Sequence, residues 1–195
     1  ARRGLFKAYD ELKSKPAQFD YPAWLQEFHA WFLRRNIAVD FLPPDADCSG
    51  YRLIVAPALY LLAEKDARSL THWVQTGGTL VATYFTGVVD EYDHIVIGGY
   101  PAYLREALGL WVEEWDPLPE NTLQAVRFGR RGRQVPASHW ADLIHLEGAR
   151  PLAFFSRDFY AGRPAVTEHS YGSDKAFYLA TKMGGDGLTI LLDLA

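Results

Sequence analysis

Cysteine is nearly missing from this sequence: of 195 residues one, Cys48, is a cysteine. That excludes an internal disulfide and a cysteine-based metal site, and it fits a reducing compartment such as the cytoplasm. Long hydrophobic runs are missing too. No apolar stretch approaches the roughly 20 residues of a membrane span, and no signal-peptide pattern is present. A strong charge of either sign is lacking. Twenty Lys and Arg face 24 Asp and Glu, a formal net charge of −4, with the basic residues scattered. Neither nucleic acid nor an anionic membrane is therefore expected as a partner. The one basic knot, Arg127, Arg130, Arg131 and Arg133, is broken by Gly129 and Gly132 and reads as the solvated tip of a hairpin.

The signatures of nucleophilic and phosphate chemistry are absent as well. G-x-S-x-G and G-x-C-x-G occur nowhere, although a hydrolase or amidotransferase on an open α/β sheet needs such a turn to project its Ser or Cys. Cys48 stands in Asp47-Cys48-Ser49-Gly50, before a turn, which is the wrong place for that elbow. Gly77-Gly78 and Gly98-Gly99 do not sit in the strand–turn–helix setting of a phosphate cradle, and helix caps and turns account for them. Asp90, Glu91 and Asp93 with His94 gather ligand-type side chains, but their spacing matches no metal loop and solvated carboxylates are the simpler reading. His29 and His72 fall in predicted helices, and His139, His145 and His169 in or beside predicted strands, all read as packed or surface residues. No catalytic residue, metal or cofactor is expected.

What is present is a foldable composition. Hydrophobic residues make up 49% and charged residues 23%, which is globular, and the length suits one domain, read as 1–195. Aromatics reach 14%, and some of those rings suit a surface that meets a partner. The sequence opens at Ala1-Arg2-Arg3 and stops at Leu194-Ala195 in mid-pattern, so it reads as an excised piece.

The first part, about 1–115, alternates helix and strand. Asp20 can cap a helix starting near Pro22, with Trp24, Leu25, Phe28, Trp31 and Phe32 at three- and four-residue spacing and Arg34-Arg35-Asn36 at its end. A short strand is expected at Ala38–Leu42 and buried strands at Leu53–Ala56 and Thr79–Phe85. Helices are expected at Glu64–Gln75 and Pro101–Leu108, then a strand from Leu110 to Trp115. Such alternation predicts right-handed βαβ units and a mostly parallel sheet covered on both faces, an α/β sandwich of flavodoxin-like type. From about 116 to 183 the pattern shifts. Leu123–Phe128, Val135, Leu143–Leu146, Leu152–Phe155, Ala165–His169 and Ala176–Ala180 are short strand candidates parted by turn residues, which predicts antiparallel hairpins flanking or extending the main sheet. A helix is expected after Asp186-Gly187.

Several stretches, taken in order, resemble the trimerisation domain of family 42 β-galactosidases. They are Ile37 to Asp47, Ser49 to Tyr60, Val74 to Leu80, Thr86 to Glu91, and Gly98-Gly99-Tyr100-Pro101 to Leu108-Gly109 with Glu113-Glu114. Gly148-Ala149, Tyr160 to Ala165, Tyr171-Gly172-Ser173 and Ala176-Phe177-Tyr178 follow suit, so the likeness runs from about Tyr21 to Thr181. It departs at the start, where only Gly4-Leu5-Phe6 stands for the buried first strand such domains have.

The resemblance implies a fold like class I glutamine amidotransferases without their nucleophile, and a part in homotrimer assembly. It also implies that the glutamates hydrolysing β-D-galactosides with retention lie in a TIM barrel outside these residues. The loop Asp90, Glu91, Tyr92, His94, together with Tyr100, is expected to wall the sugar pocket of a neighbouring subunit. Two rival readings are a stand-alone amidotransferase-like hydrolase and a carbohydrate-binding module.

Overall fold

The computed structural model describes residues 20–119, 122, 124–129 and 132–195. Helix α1 (Tyr21–Leu33) begins where Asp20 leaves the helical region and its Oδ1 accepts the Ala23 N–H at 2.9 Å. Its apolar residues fall on one stripe, so Trp24, Phe28, Trp31 and Phe32 are buried together. Asn36, at φ 56°, turns the chain out of the helix, as its tolerance of left-handed dihedrals allows. The chain then runs through β1 (Leu53–Ala56), α2 (Glu64–Gln75) and β2 (Thr79–Thr83). Gly78 makes the tight return from α2 possible, because any side chain there would strike the Trp73 ring at 2.2 Å.

A 3₁₀ turn (Ala102–Leu104) runs into α3 (Arg105–Leu108), which Gly109 closes in the left-handed region. Seven strands follow: β3 (Leu110–Pro117), β4 (Gln124–Phe128), β5 (Gln134–Leu146), β6 (Arg150–Phe155), β7 (Pro164–Tyr171), β8 (Asp174–Leu179) and β9 (Thr181–Met183). Helix α4 (Gly185–Leu194) comes last.

The nine strands form one mixed sheet in the order β1-β2-β8-β7-β6-β4-β5-β3, with β9 on β5. Among the described strands, parallel pairing is confined to β1–β2 and β2–β8. The expectation of a mostly parallel sheet is thus corrected: the remaining pairings are antiparallel. The reason lies in the connections. Turns as short as Gly172-Ser173 between β7 and β8 can join only antiparallel neighbours, whereas parallel neighbours need a crossover such as α2.

The C-terminal hairpins do more than flank the sheet. Ala141 on β5 pairs with Asp116 of β3 and with Thr181 of β9, so β9 lies on the β5 edge opposite β3. Because β9 continues β8 across one residue, Ala180, the path β8-β7-β6-β4-β5-β9 returns to its own beginning. The Asp142 N–H donates to Ala180 O at 2.8 Å at that closure.

Three further expectations are corrected. Ala38–Leu42 forms no strand; the run is exposed and pairs with no strand among the described residues, and the Asp40 carboxylate instead accepts the Tyr51 hydroxyl at 2.9 Å. Val135 and Leu143–Leu146 are parts of one 13-residue strand, whose pairing with β9 shifts register between Ser138 and Ala141. The predicted strand at 79–85 ends at Thr83, and Phe85 turns into the left-handed region at φ 64°. Gly4 to Phe6, Leu123, Arg130 and Arg131 lie outside the described residues.

Among the described residues one hydrophobic cluster spans the elements. It runs from Trp24 and Phe28 on α1 through Val81 on β2 and Phe177 on β8 to Val126 on β4, Phe155 on β6 and Leu191 on α4.

Candidate functional site

In open α/β sheets ligands gather beyond the carboxyl ends of the parallel strands. Here the chains leaving β1 and β2 zip together at that end. Gly87 N donates to Leu59 O, Val88 N to Tyr60 O and Leu62 N to Val89 O. Val88 and Val89 are buried, so they anchor the base of the loop that follows.

That loop is organised by Asp90. Its Oδ1 accepts the N–H groups of Tyr92 and His94, each at 2.9 Å, and its own N–H donates to His94 O. The His94 hydrogen bond, foremost, holds the Asp90 carboxyl below its usual range. Both oxygens face its own turn, with His94 Nδ1 3.6 Å from Oδ2, so Asp90 shapes the loop. The turn leaves Glu91, Tyr92 and His94 exposed, Tyr92 at 73%. Ile95 and Ile97 are exposed beside them, at 72% and 97%. Among the described residues, no three His, Cys, Asp or Glu side chains are grouped to hold a metal ion.

Tyr100 sits apart, at the far end of the loop. Its ring lies 5.2 Å from Trp115, its carbonyl accepts the Val112 N–H at 2.7 Å, and burial pushes its phenol well above the ordinary value. The structure therefore brings Asp90, Glu91, Tyr92 and His94 into one turn and leaves Tyr100 packed under Trp115.

Cys48 is half-buried. Its Sγ lies 3.5 Å from Ala46 O, and burial raises the thiol further from the thiolate a nucleophile needs. The turn after β2 holds Phe85, whose ring packs on Trp140 at a tilt of 46° with centroids 4.2 Å apart. Of the histidines, His29 stacks on Phe41 and His145 donates to Glu113 at 2.6 Å. His169 is wedged against Gly109 and Gly148 and donates from Nδ1 to Ala107 O at 3.0 Å. It borders a shallow recess of about 530 Å³ with Tyr103, Arg105, Glu106, Glu147 and Tyr171, in which Arg105 is spent on Glu147 and on Gly98 O.

One arrangement escaped the sequence reading. Asp142 is fully buried on β5, where Oδ1 accepts Trp140 Nε1 at 2.8 Å and Oδ2 accepts the Tyr178 hydroxyl at 2.6 Å. The signal was a lone acid inside the apolar run Trp140-Ala141-Asp142-Leu143-Ile144.

The geometry so far defines an α/β domain with a mixed sheet and a shaped loop end. Comparison with known proteins makes the class specific. The family model described as β-galactosidase trimerisation domain matches residues 6–195. The β-galactosidase BgaB of Geobacillus kaustophilus is 41% identical over 184 residues, covering 94% of this chain and 27% of that protein. The β-galactosidase LacA of Lactobacillus acidophilus is 35% identical over 188 residues, 96% of this chain and 28% of that protein.

Among solved structures, a cold-adapted β-galactosidase from Rahnella sp. R3 superposes with a TM-score of 0.90 at 34% identity, over 98% of this chain and 30% of that one. The chain belongs to the β-galactosidase trimerisation-domain family. It spans a little over a quarter of the length of these curated relatives.

Proposed function

We propose that this chain is a non-catalytic assembly domain that joins three copies of a parent β-galactosidase around a threefold axis. The observation that carries the reading is the family match over residues 6–195, in a region amounting to 27% of a β-galactosidase relative. A threefold contact is heterologous, one patch meeting a different one, and it closes into a ring at three copies. The parent enzyme then hydrolyses terminal β-D-galactosides with retention through a barrel outside these residues. Residues 1–195 act as one unit, an α/β core to about 115 with a hairpin extension to about 183. The single cysteine supports a cytoplasmic setting, and among the described residues no helix is long and apolar enough to cross a membrane.

The α2 crossover, the parallel β1–β2–β8 core and the left-handed Phe85 after β2 support a flavodoxin-like, amidotransferase-like ancestry with the nucleophile replaced. The exposed turn of Glu91, Tyr92 and His94 supports a second role, walling the sugar pocket of the neighbouring subunit, with Tyr100 fixing the loop's other end. Sedimentation equilibrium of this 22.0 kDa chain tests assembly directly. A species of three times that mass is expected, and a monomer at all concentrations would move the assembly energy elsewhere in the parent. In the parent, Glu91→Ala with Tyr92→Ala is expected to raise KM while the trimer persists; unchanged kinetics would sink the rim role.

A further inference from the structure

The closure of the strand path is held at one point by a charged-type residue that no assembly role uses. Asp142 links three strands there. Its backbone N–H reaches Ala180, between β8 and β9, its side chain takes the hydroxyl of Tyr178 on β8, and its neighbour Ala141 pairs with both β3 and β9. The side chain is fully buried, and among the described residues no cation compensates it. We propose that Asp142 makes this closure a proton-operated clasp, fastened when its carboxyl carries a proton and loosened when it ionises.

The surroundings bear this out group by group. From β8 comes Tyr178, from β5 itself the Trp140 indole, and Tyr84 after β2 and Tyr100 before the 3₁₀ turn lie close enough for the Asp142 charge to raise both phenols. All are neutral. Charges on the packed elements are engaged elsewhere: Lys182 on β9 with Glu27 on α1 at 3.1 Å, and Asp116 on β3 with the Tyr160 hydroxyl at 3.0 Å. Glu113 on β3 is taken by His145 and Arg163, and His139 on β5 meets Ser138.

Two neutral donors do not repay the desolvation of a buried carboxylate. Burial, the largest cause, accordingly lifts the Asp142 carboxyl to about 7 against its donors' pull. With the proton in place, one oxygen still accepts from Trp140 while the carboxylic O–H donates to Tyr178, so both bonds survive.

The sign follows from linkage. An acid whose folded pKa is raised stabilises the fold fully below its unfolded pKa of 3.8 and loses that contribution as pH rises through about 7. Inside that window the folded-to-unfolded ratio falls by up to about tenfold per pH unit. The test is thermal or urea unfolding of the chain from about pH 5 to about pH 8, comparing wild type with Asp142→Asn. Wild type is expected to lose stability on that rise and Asp142→Asn to lose much less. Every other titrating group is common to the two proteins, so the difference between the two curves isolates this carboxyl. Equal slopes, or a flat wild-type curve, overturn the proposal.

Should Asp142→Asn fail to fold, infrared spectra of the wild-type chain decide. A protonated-carboxyl band that persists at about pH 6, where ordinary carboxyls are ionised, and is lost by about pH 8 supports the clasp, and its absence at about pH 6 overturns it. Tyr178→Phe, which removes one donor to the ionised form, is expected to move that loss to higher pH.

Discussion

At the scale of single residues, three positions break local rules, and each has a physical counterweight. Phe85 holds a bulky side chain at φ 64°, a region costing roughly 1–2 kcal/mol for an L-residue. Its ring offsets that by packing on Trp140 and Tyr84. Removing the ring exposes the backbone cost, so Phe85→Gly is expected to be more stable than Phe85→Ala by about 1 kcal/mol, the reverse of the order in ordinary strand positions; denaturant midpoints of the two variants check it.

Gly109 combines φ 62° with a His169 ring 2.6 Å from where a Cβ would stand. Gly109→Ala should therefore destabilise by about 1–3 kcal/mol, measured the same way. Asp142 is the third. Its burial could not be read from composition, because an acid within an apolar run looks the same whether it faces solvent or a pair of donors across a sheet.

At the scale of elements, legibility followed how local the cause was. Glu64–Gln75 was read to the residue, because its apolar spacing and the Gly77-Gly78 stop lie within the segment itself. The cap by Asp20 and the left-handed exit at Asn36 were legible for the same reason. Strand identity was legible only where a partner existed. Ala38–Leu42 has strand composition but pairs with no strand among the described residues, and composition alone makes no ladder. The long β5 was missed because Pro136 and the irregular stretch at Ser138 to Ala141 disguise a continuous strand as two. The parallel character of the sheet was overestimated, since hairpin connections, not strand composition, decide direction.

The stripe on α1 was the clearest local signal, and it predicts a large effect. Trp24 has no exposed surface and meets Phe28 and Tyr84. Trp24→Ala should cost about 3–5 kcal/mol, read as a lowered urea midpoint with retained helical circular dichroism. Asp20→Ala, which removes the cap, should cost nearer 1 kcal/mol.

At the scale of the whole molecule, the loop residues expected to face a neighbour split into two groups. The Glu91–His94 turn is offered to solvent, and Tyr100 is fixed within the fold. That division was not legible in the sequence, where the loop and Tyr100 shared one expected role; it arises because Asp90 folds the turn back on itself while Trp115 captures the tyrosine. An interface built on this end would therefore tolerate changes at Tyr92 far better than at Tyr100, whose loss would disturb the packing beneath it.

The insertion of β8 between β2 and β7 also sets a timetable for synthesis. β2 is buried along its whole length, yet its neighbour on that side lies far along the chain: Thr79 bonds Asp174 across 95 positions. At translation speeds of about 5–20 residues per second, an emerging β2 waits roughly 5–19 s before its partner exists. During that wait its apolar edge is open to other strands, so a ribosome-bound chaperone, or early docking of α1 and α2, has to shield it. Refolding of these 195 residues escapes the wait but still has to close long loops before the sheet rewards them, which places it among slow folders.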